Sequence, residues 1–179
     1  VNIASRCAGF VTKNFDGRLA SERLADELFE SFEAAGEGIA LAYEQREFSK
    51  AMREIMGLAD RANQFIDDNK PWVLVKDSSR RAELHAVVTT AINLFRLLMV
   101  YLKPVLPAMA VQVERFLQIE PLQWTDIQTR LLGREIARFT PLMKRIEEEG
   151  IQAMVADSRE TLESVKPVDS KAAAGAPAE

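Results

Sequence analysis

Histidine and cysteine are almost absent from this chain of 179 residues, which contains only His85 and Cys7. A single cysteine cannot form an internal disulfide, and the two residues cannot make a Cys/His zinc cluster by themselves. A self-contained Ser-His-Asp or Cys-His centre would require both residues to meet, although they belong to different predicted helices. We therefore predict no catalytic residue and no metal site, and the scarcity of cysteine agrees with a reducing, cytoplasmic setting.

An excess of charge of one sign is also missing. The net charge is only −4, with 28% charged and 47% hydrophobic residues, which is typical of a globular domain. Proteins that bind polyanions in general are basic, so a contact with nucleic acid would have to be local and directed at bases, with few phosphates engaged.

A signal segment is missing from the start of the chain, which begins with Val1 rather than methionine. We therefore expect a piece of a longer protein. The longest apolar run, residues 84–102, is interrupted by His85, Asn93 and Arg96. Such a run is a poor membrane span and favours a buried central helix.

What is present is a helical repeat of apolar residues along nearly the whole chain. It predicts helices at about 1–15, 24–45, 48–68 and 148–165, and a central helix from about 78 that Pro104 and Pro107 break or kink, with a shorter helix that continues to about 117. It also predicts a short helix from 125 and irregular structure at 133–145. From residue 166 the sequence is rich in alanine, proline and glycine, as in flexible linkers. The prediction is an all-α bundle of about five to six helices over residues 1–165, followed by a flexible linker or tail at 166–179.

Two polar patterns stand out from this apolar repeat. On the fourth predicted helix, His85, Asn93 and Arg96 form a thin stripe, which we interpret as a hydrogen-bonded seam between helices rather than a polar active site. On the first, Asn2 and Arg6 lie one turn apart, with Cβ atoms roughly 6 Å from each other.

Trp72 completes the second pattern. It follows Pro71, which should end the third helix and bias the chain toward an extended loop. A carboxamide, a guanidinium and an indole together suit an unstacked RNA base, read by hydrogen bonds on its edge and by stacking on its face. These residues alone leave open that Trp72 is a packing anchor and that the helix face is merely solvated.

Six runs of sequence, in order along residues 1–165, carry a resemblance to a known family. They are VNIASRCAGF at 1–10, REFSKAMREIM at 46–56, NKPWVLVK at 69–76, INLFR at 92–96, YLKPVLP at 101–107 and FTPLMKRI at 139–146. Together they resemble the helix-bundle anticodon-binding domain of bacterial methionyl-tRNA synthetases.

The resemblance implies a function in reading the CAU anticodon of methionine tRNAs. It implies that Asn2 and Arg6 contact the anticodon and that Trp72 stacks on its first base, a cytosine. It further implies that Asp67, at the end of the third helix, and Pro71 shape the pocket. The alternative is a helical protein-interaction bundle that shares only the fold; it would be favoured if Trp72 were deeply buried, away from polar groups of the first helix.

The resemblance also sets expectations for the parent protein. The chain contains no HIGH-type or KMSKS-type signature and no zinc-knuckle cysteines, so this piece should not activate methionine and should need no cofactor. The parent would be a methionine–tRNA ligase that uses ATP with magnesium, and the resemblance allows zinc in its catalytic domain. The implied partners are methionine tRNA and the catalytic domain of the same chain, with a homodimeric parent, no membrane, and a cytoplasmic location.

Overall fold

The computed structural model describes residues 2–22, 24–143 and 148–164 and forms two compact units, Val1–Met143 and Lys144–Glu179. In the first unit the α-helices are α1 (Asn2–Asn14), α2 (Asp26–Glu44), α3 (Phe48–Asn69), α4 (Pro71–Leu74), α5 (Arg81–Leu102) and α6 (Pro107–Leu117); the second contains α7 (Glu148–Ser164). The described part of the chain has no β-strand, only an isolated bridge between Arg18 and Glu135. The predicted all-α class is confirmed, and six of these helices are longer than ten residues.

Helix α5 is the centre of the first unit. Every residue from 87 to 101 is buried, and α1, α2, α3 and α6 all contact this helix. A helix that is apolar on nearly all sides has to be surrounded in this way. The segment Ser78–Leu102 is long and apolar enough to cross a membrane, but 89% of its apolar window is buried inside the protein, as expected of a core helix.

The polar stripe of α5 binds irregular backbone, not a second helix. Asn93 donates to the Leu131 carbonyl (3.0 Å) and accepts from the Leu131 amide (2.7 Å), and the His85 ring lies 2.8 Å from the Arg18 carbonyl. Arg96 donates to carbonyls at 126 and 129. The prediction of a seam between helices was therefore wrong. The backbone N–H and C=O groups of an extended segment make no helical hydrogen bonds, so the polar side chains of α5 act as their partners.

Prolines and tryptophan shape the far end of α5. The helix ends at Leu102, and α6 starts with Pro107 in its first turn, as the proline positions predicted. The short helix expected from 125 is a 3₁₀ turn, Trp124–Gln128. Its N-cap is Gln123, and Oδ2 of Asp126, the third residue of the turn, accepts from the Gln123 amide at 2.7 Å. The ring of Trp124 packs against Tyr101, with centroids 5.3 Å apart, and this partly buried tryptophan lies against the hydrophobic core.

The C-terminal predictions are only partly covered by the described residues. Residues 133–143 are irregular, as predicted, apart from a one-residue bridge at Glu135. The remaining residues of that segment, 144–145, lie outside the described part, as does the predicted linker or tail at 166–179. The domain boundary near residue 165 therefore stays a prediction.

Candidate functional site

Helix α1 presents its polar face because its other face is anchored in the core. Ala4, Ala8 and Val11 are fully buried against α5 at helical spacing. This leaves Asn2 exposed and Arg6 half-buried on the opposite side. Their positions one turn apart agree with the spacing predicted from the sequence.

A left-handed residue places Trp72 beside α1. Lys70, which follows α3, has φ 45° and ψ 63°, and its amide closes the last turn on the Ile66 carbonyl at 2.9 Å. Pro71 then occupies the first turn of α4 and is buried together with Leu74. The prediction of an extended loop was wrong here. Proline restricts the residue before it, and once Lys70 has left the right-handed region the fixed φ of proline suits a new helical turn.

Arg6 links Trp72 to the end of α3. One guanidinium nitrogen of Arg6 lies 2.6 Å from Oδ1 of Asp67, and the side chains are 29% and 54% exposed. The guanidinium carbon lies over the Trp72 ring, 4.9 Å from its centroid. Arg6 is thus held between a carboxylate and an indole face, whereas the residue Trp72 itself remains 39% exposed.

The structure brings three of the five predicted site residues into contact. Arg6, Asp67 and Trp72 form one cluster, and Pro71 supports it from the buried side. Asn2 lies on the same face of α1, one turn before Arg6, at the edge of an apolar cavity of about 290 Å³ between α1, α3 and α5. Two features distinguish a base-binding surface from a packing anchor. One is that the indole is exposed, and the other is that it has a polar neighbour on the first helix.

The Cys7 thiol beside Arg6 is held in an unreactive state. Burial raises the pKa of Cys7 to about 12, against a smaller lowering effect of the Arg6 charge, so this thiol stays protonated and packs as a small apolar group. His85 stacks on Phe15, with ring centroids 3.8 Å apart. Among the described residues, no cluster of three or more His, Cys, Asp or Glu side chains has the geometry to hold a metal ion.

Several features of the site were missed by sequence reasoning. The ion pair of Arg6 joins residues 61 positions apart, and no local spacing encodes it. The cations that follow Trp72, including Lys76 and Arg81, were also not singled out. A count of charge along the chain would have drawn attention to them.

Comparison with known proteins identifies the family of this chain. Residues 18–156 match a family described as the anticodon binding domain of methionyl tRNA ligase. Asp67, Pro71 and Trp72 lie within that range, while Asn2 and Arg6 precede it. A methionine–tRNA ligase of Thiobacillus denitrificans (strain ATCC 25259 / T1) is 51% identical over 163 residues, which make up 91% of this chain and 24% of that protein.

Solved structures support the same fold. The apo form of Mycobacterium tuberculosis methionyl-tRNA synthetase matches 82% of this chain and 31% of its own, with a TM-score of 0.73 and 21% identity. The same enzyme in complex with methionyl-adenylate matches 80% of this chain and 30% of its own, with a TM-score of 0.68 and 23% identity. The matched family covers most of the chain, and the curated relative is about half identical over nearly all of it, so the chain belongs to the family of methionyl-tRNA ligase anticodon-binding domains.

Proposed function

We propose that this domain binds the anticodon loop of methionine tRNA and distinguishes CAU from other anticodons. The observation that carries the proposal is the cluster of Arg6, Asp67 and Trp72. In this cluster the Arg6 guanidinium lies over one face of the Trp72 indole, and the residue Trp72 is 39% exposed. Anticodon bases in a loop can leave the stack, and single-stranded bases are recognised by aromatic stacking and by hydrogen bonds to their edges.

In this proposal Trp72 is the stacking platform for the first anticodon base, a cytosine. The Arg6 guanidinium covers part of one ring face, which leaves the solvent-exposed part of the indole for the nucleotide. The buried Pro71 and Leu74 hold the short helix that carries Trp72, so the ring is already oriented before RNA arrives. A platform that is ordered in advance loses little side-chain entropy on binding.

Arg6 acts as an oriented donor rather than as a free cation. Asp67 occupies one of its terminal nitrogens at 2.6 Å and offsets its charge, so the remaining N–H groups are held in a defined direction. A planar guanidinium held in this way suits the acceptor edge of a base better than it suits an arbitrary phosphate. Asn2, one turn earlier, offers a carboxamide with both donor and acceptor groups to the same strand.

The activity of the whole protein is a further proposal, because the chain spans 24% of the length of the curated relative. We propose that the parent attaches methionine to its tRNA with ATP and magnesium in a catalytic domain elsewhere in the same chain. We place the parent in the cytoplasm, where charged tRNA is used, and its homodimeric state stays a prediction.

An apolar face of the first unit supports a partner within the parent chain. Met56, Val105 and Met143 are 56%, 44% and 61% exposed, and two of them line the apolar cavity of about 290 Å³. A monomeric domain rarely leaves a group of large apolar side chains uncovered. Covering by the catalytic domain would remove this surface from water.

Titration of labelled stem-loops tests the anticodon proposal directly. A stem-loop with CAU and a second one in which only the first anticodon base is changed are each titrated with the domain, and binding is followed by fluorescence anisotropy. The CAU loop should bind more tightly, by a factor that reflects the stack and edge contacts at Trp72 and Arg6. Equal affinity for the two loops would refute anticodon reading by this domain.

A further inference from the structure

Positive charge is concentrated on the two segments that form the candidate site. Helix α1 contains Arg6 and Lys13 and no acidic residue, and residues 70–81 contain four basic residues against a single acidic one, Asp77. The chain as a whole has a net charge of −4. The rest of the chain is therefore more acidic than the whole, and at these two segments a polyanion is repelled little.

We propose that backbone phosphates of the bound RNA run from the Trp72 cluster along the C-terminal half of α1 to Lys13, Lys76 and Arg81, an inference that rests on the proposed function. Lys13 and Lys76 are available to bind a phosphate, whereas the neighbouring Arg80 is already paired. Arg80 is held by Glu83 through two hydrogen bonds of 2.7 and 2.6 Å. Lys13 and Lys76 are exposed and make no hydrogen bond or ion pair within the described part of the chain.

Arg81 is fixed in place without a carboxylate partner among the described residues. It donates to the Asn14 carbonyl at the end of α1, and its guanidinium carbon lies 4.8 Å from the centroid of the Phe15 ring. Both contacts are with neutral groups, so the positive charge of Arg81 is not neutralised. A cation that is positioned but not paired is well suited to a phosphate oxygen.

A shallow cavity of about 220 Å³ lies between these side chains. Lys76, Ser78 and Arg81 line it, together with Asn14 and Asp77. The Asp77 carboxylate opposes an anion, but its Oδ1 already accepts from the Ser79 amide at 3.0 Å and from the Ser79 hydroxyl at 2.6 Å. The cavity therefore offers two cations and a hydroxyl to a phosphate, with its one acid engaged in capping a turn.

The distance from Trp72 fits a continuous strand. Eight residues separate Arg6, which touches Trp72, from Asn14 at this cavity, and at 1.5 Å per residue the rise along α1 is roughly 12 Å. A stacked strand carries one phosphate about every 3.4 Å. Nucleotides roughly three to four positions from the stacked base would therefore place their phosphates over this cavity.

The test compares Lys13→Gln and Lys76→Gln with Lys50→Gln. Lys50 is also exposed, but it pairs with Glu47 at 3.0 Å and lies 17 residues from Asp67 on α3, roughly 26 Å along the helix axis. Affinities of each variant for the CAU stem-loop and for the changed loop are measured between about 50 and 200 mM salt. Circular dichroism melting of each variant verifies that the fold is retained.

Each variant at the proposed path should lower the slope of log K against log salt by about 0.7, the value for one lost phosphate contact on a single strand. The loss of affinity relative to wild type should then shrink by about 2.6-fold across that salt range. The loss should be equal for both RNA sequences, and Lys50→Gln should behave as wild type. Slopes equal to wild type, or a change in preference between the two loops, would overturn the phosphate path.

The two proposals fail separately in this experiment. Wild type that does not distinguish the two loops refutes anticodon reading, while reduced slopes in the lysine variants would still support the phosphate path. Wild type that prefers CAU, combined with unchanged slopes at Lys13 and Lys76, supports anticodon reading and refutes the path.

Discussion

Replacing Trp72 by alanine separates its contribution to RNA binding from its contribution to the fold. One base–aromatic stack contributes about 1–3 kcal/mol, so the variant should bind the CAU stem-loop about 5- to 150-fold more weakly. The salt dependence should remain unchanged, because an indole releases no counterions when it binds RNA.

The same substitution has a limited cost in stability. Trp72 is 39% exposed, so truncation to alanine removes on the order of 100 Å² of covered apolar surface. At about 25 cal/mol per Å² this corresponds to roughly 2.5 kcal/mol as an upper value. Domains of this kind have unfolding free energies of about 5–15 kcal/mol. The variant should therefore be folded at room temperature, with α4 still anchored by Pro71 and Leu74, both of which are buried.

The assay combines thermal melting with anisotropy titration, and the other tryptophan supplies the control. Trp124 packs against Tyr101 and Tyr43, with ring centroids 5.3 and 6.4 Å apart, so Trp124→Phe should lower the melting temperature without altering affinity. Trp72→Phe should bind RNA with intermediate strength, because a smaller aromatic face remains. Wild-type affinity in folded Trp72→Ala would refute the stacking argument, and an unfolded variant would make Trp72 a residue of the core.

Two further substitutions test Arg6 and Asn93. Arg6→Gln should reduce the preference for CAU over the changed loop more than Lys50→Gln does, as titrations of both loops will measure. The reason is that Arg6, unlike Lys50, presents a rigid planar guanidinium, which is fixed at 2.6 Å to a carboxylate. Equal losses of affinity for every sequence would make Arg6 a phosphate contact. Asn93→Ala should cost about 2–6 kcal/mol in urea unfolding, because it leaves both the amide and the carbonyl of Leu131 without their bonds of 2.7 and 3.0 Å. Asn63→Ala, which removes one local bond to a carbonyl of its own helix, should cost only about 0.5–1.5 kcal/mol. Similar costs for both variants would contradict the argument that Asn93 belongs to a buried network.

The helices themselves were predictable because their signal is local. The apolar positions of α1 and the nearly continuous apolar run of α5 specify which faces are buried, since a 3.6-residue period has to direct those side chains to one side. The end of α5 and the start of α6 were predictable for a similar reason, because proline disfavours a continuing helix through its own covalent structure.

The pairing of the polar stripe on α5 was not predictable in the same way. The stripe itself is visible in the sequence, but its partners lie at Arg18, at Leu131 and around residue 126. Irregular segments have no periodicity that reveals where their unpaired backbone groups will lie. Those partners exist only once the segments have packed across the helix.

For the candidate site, the sequence by itself determined which functional groups are available, because these follow from the residue identities. It also determined that Asn2 and Arg6 lie on one exposed helix face, because this follows from their spacing and the pitch of a helix. Only the tertiary structure decided that the Arg6 guanidinium lies between Asp67 and Trp72 and that Pro71 begins a helical turn instead of a loop. These outcomes depend on the docking of α1 against the end of α3 and on the left-handed backbone of Lys70. The docking is set by the packing of distant segments around α5, for which no local pattern in the chain supplies a signal.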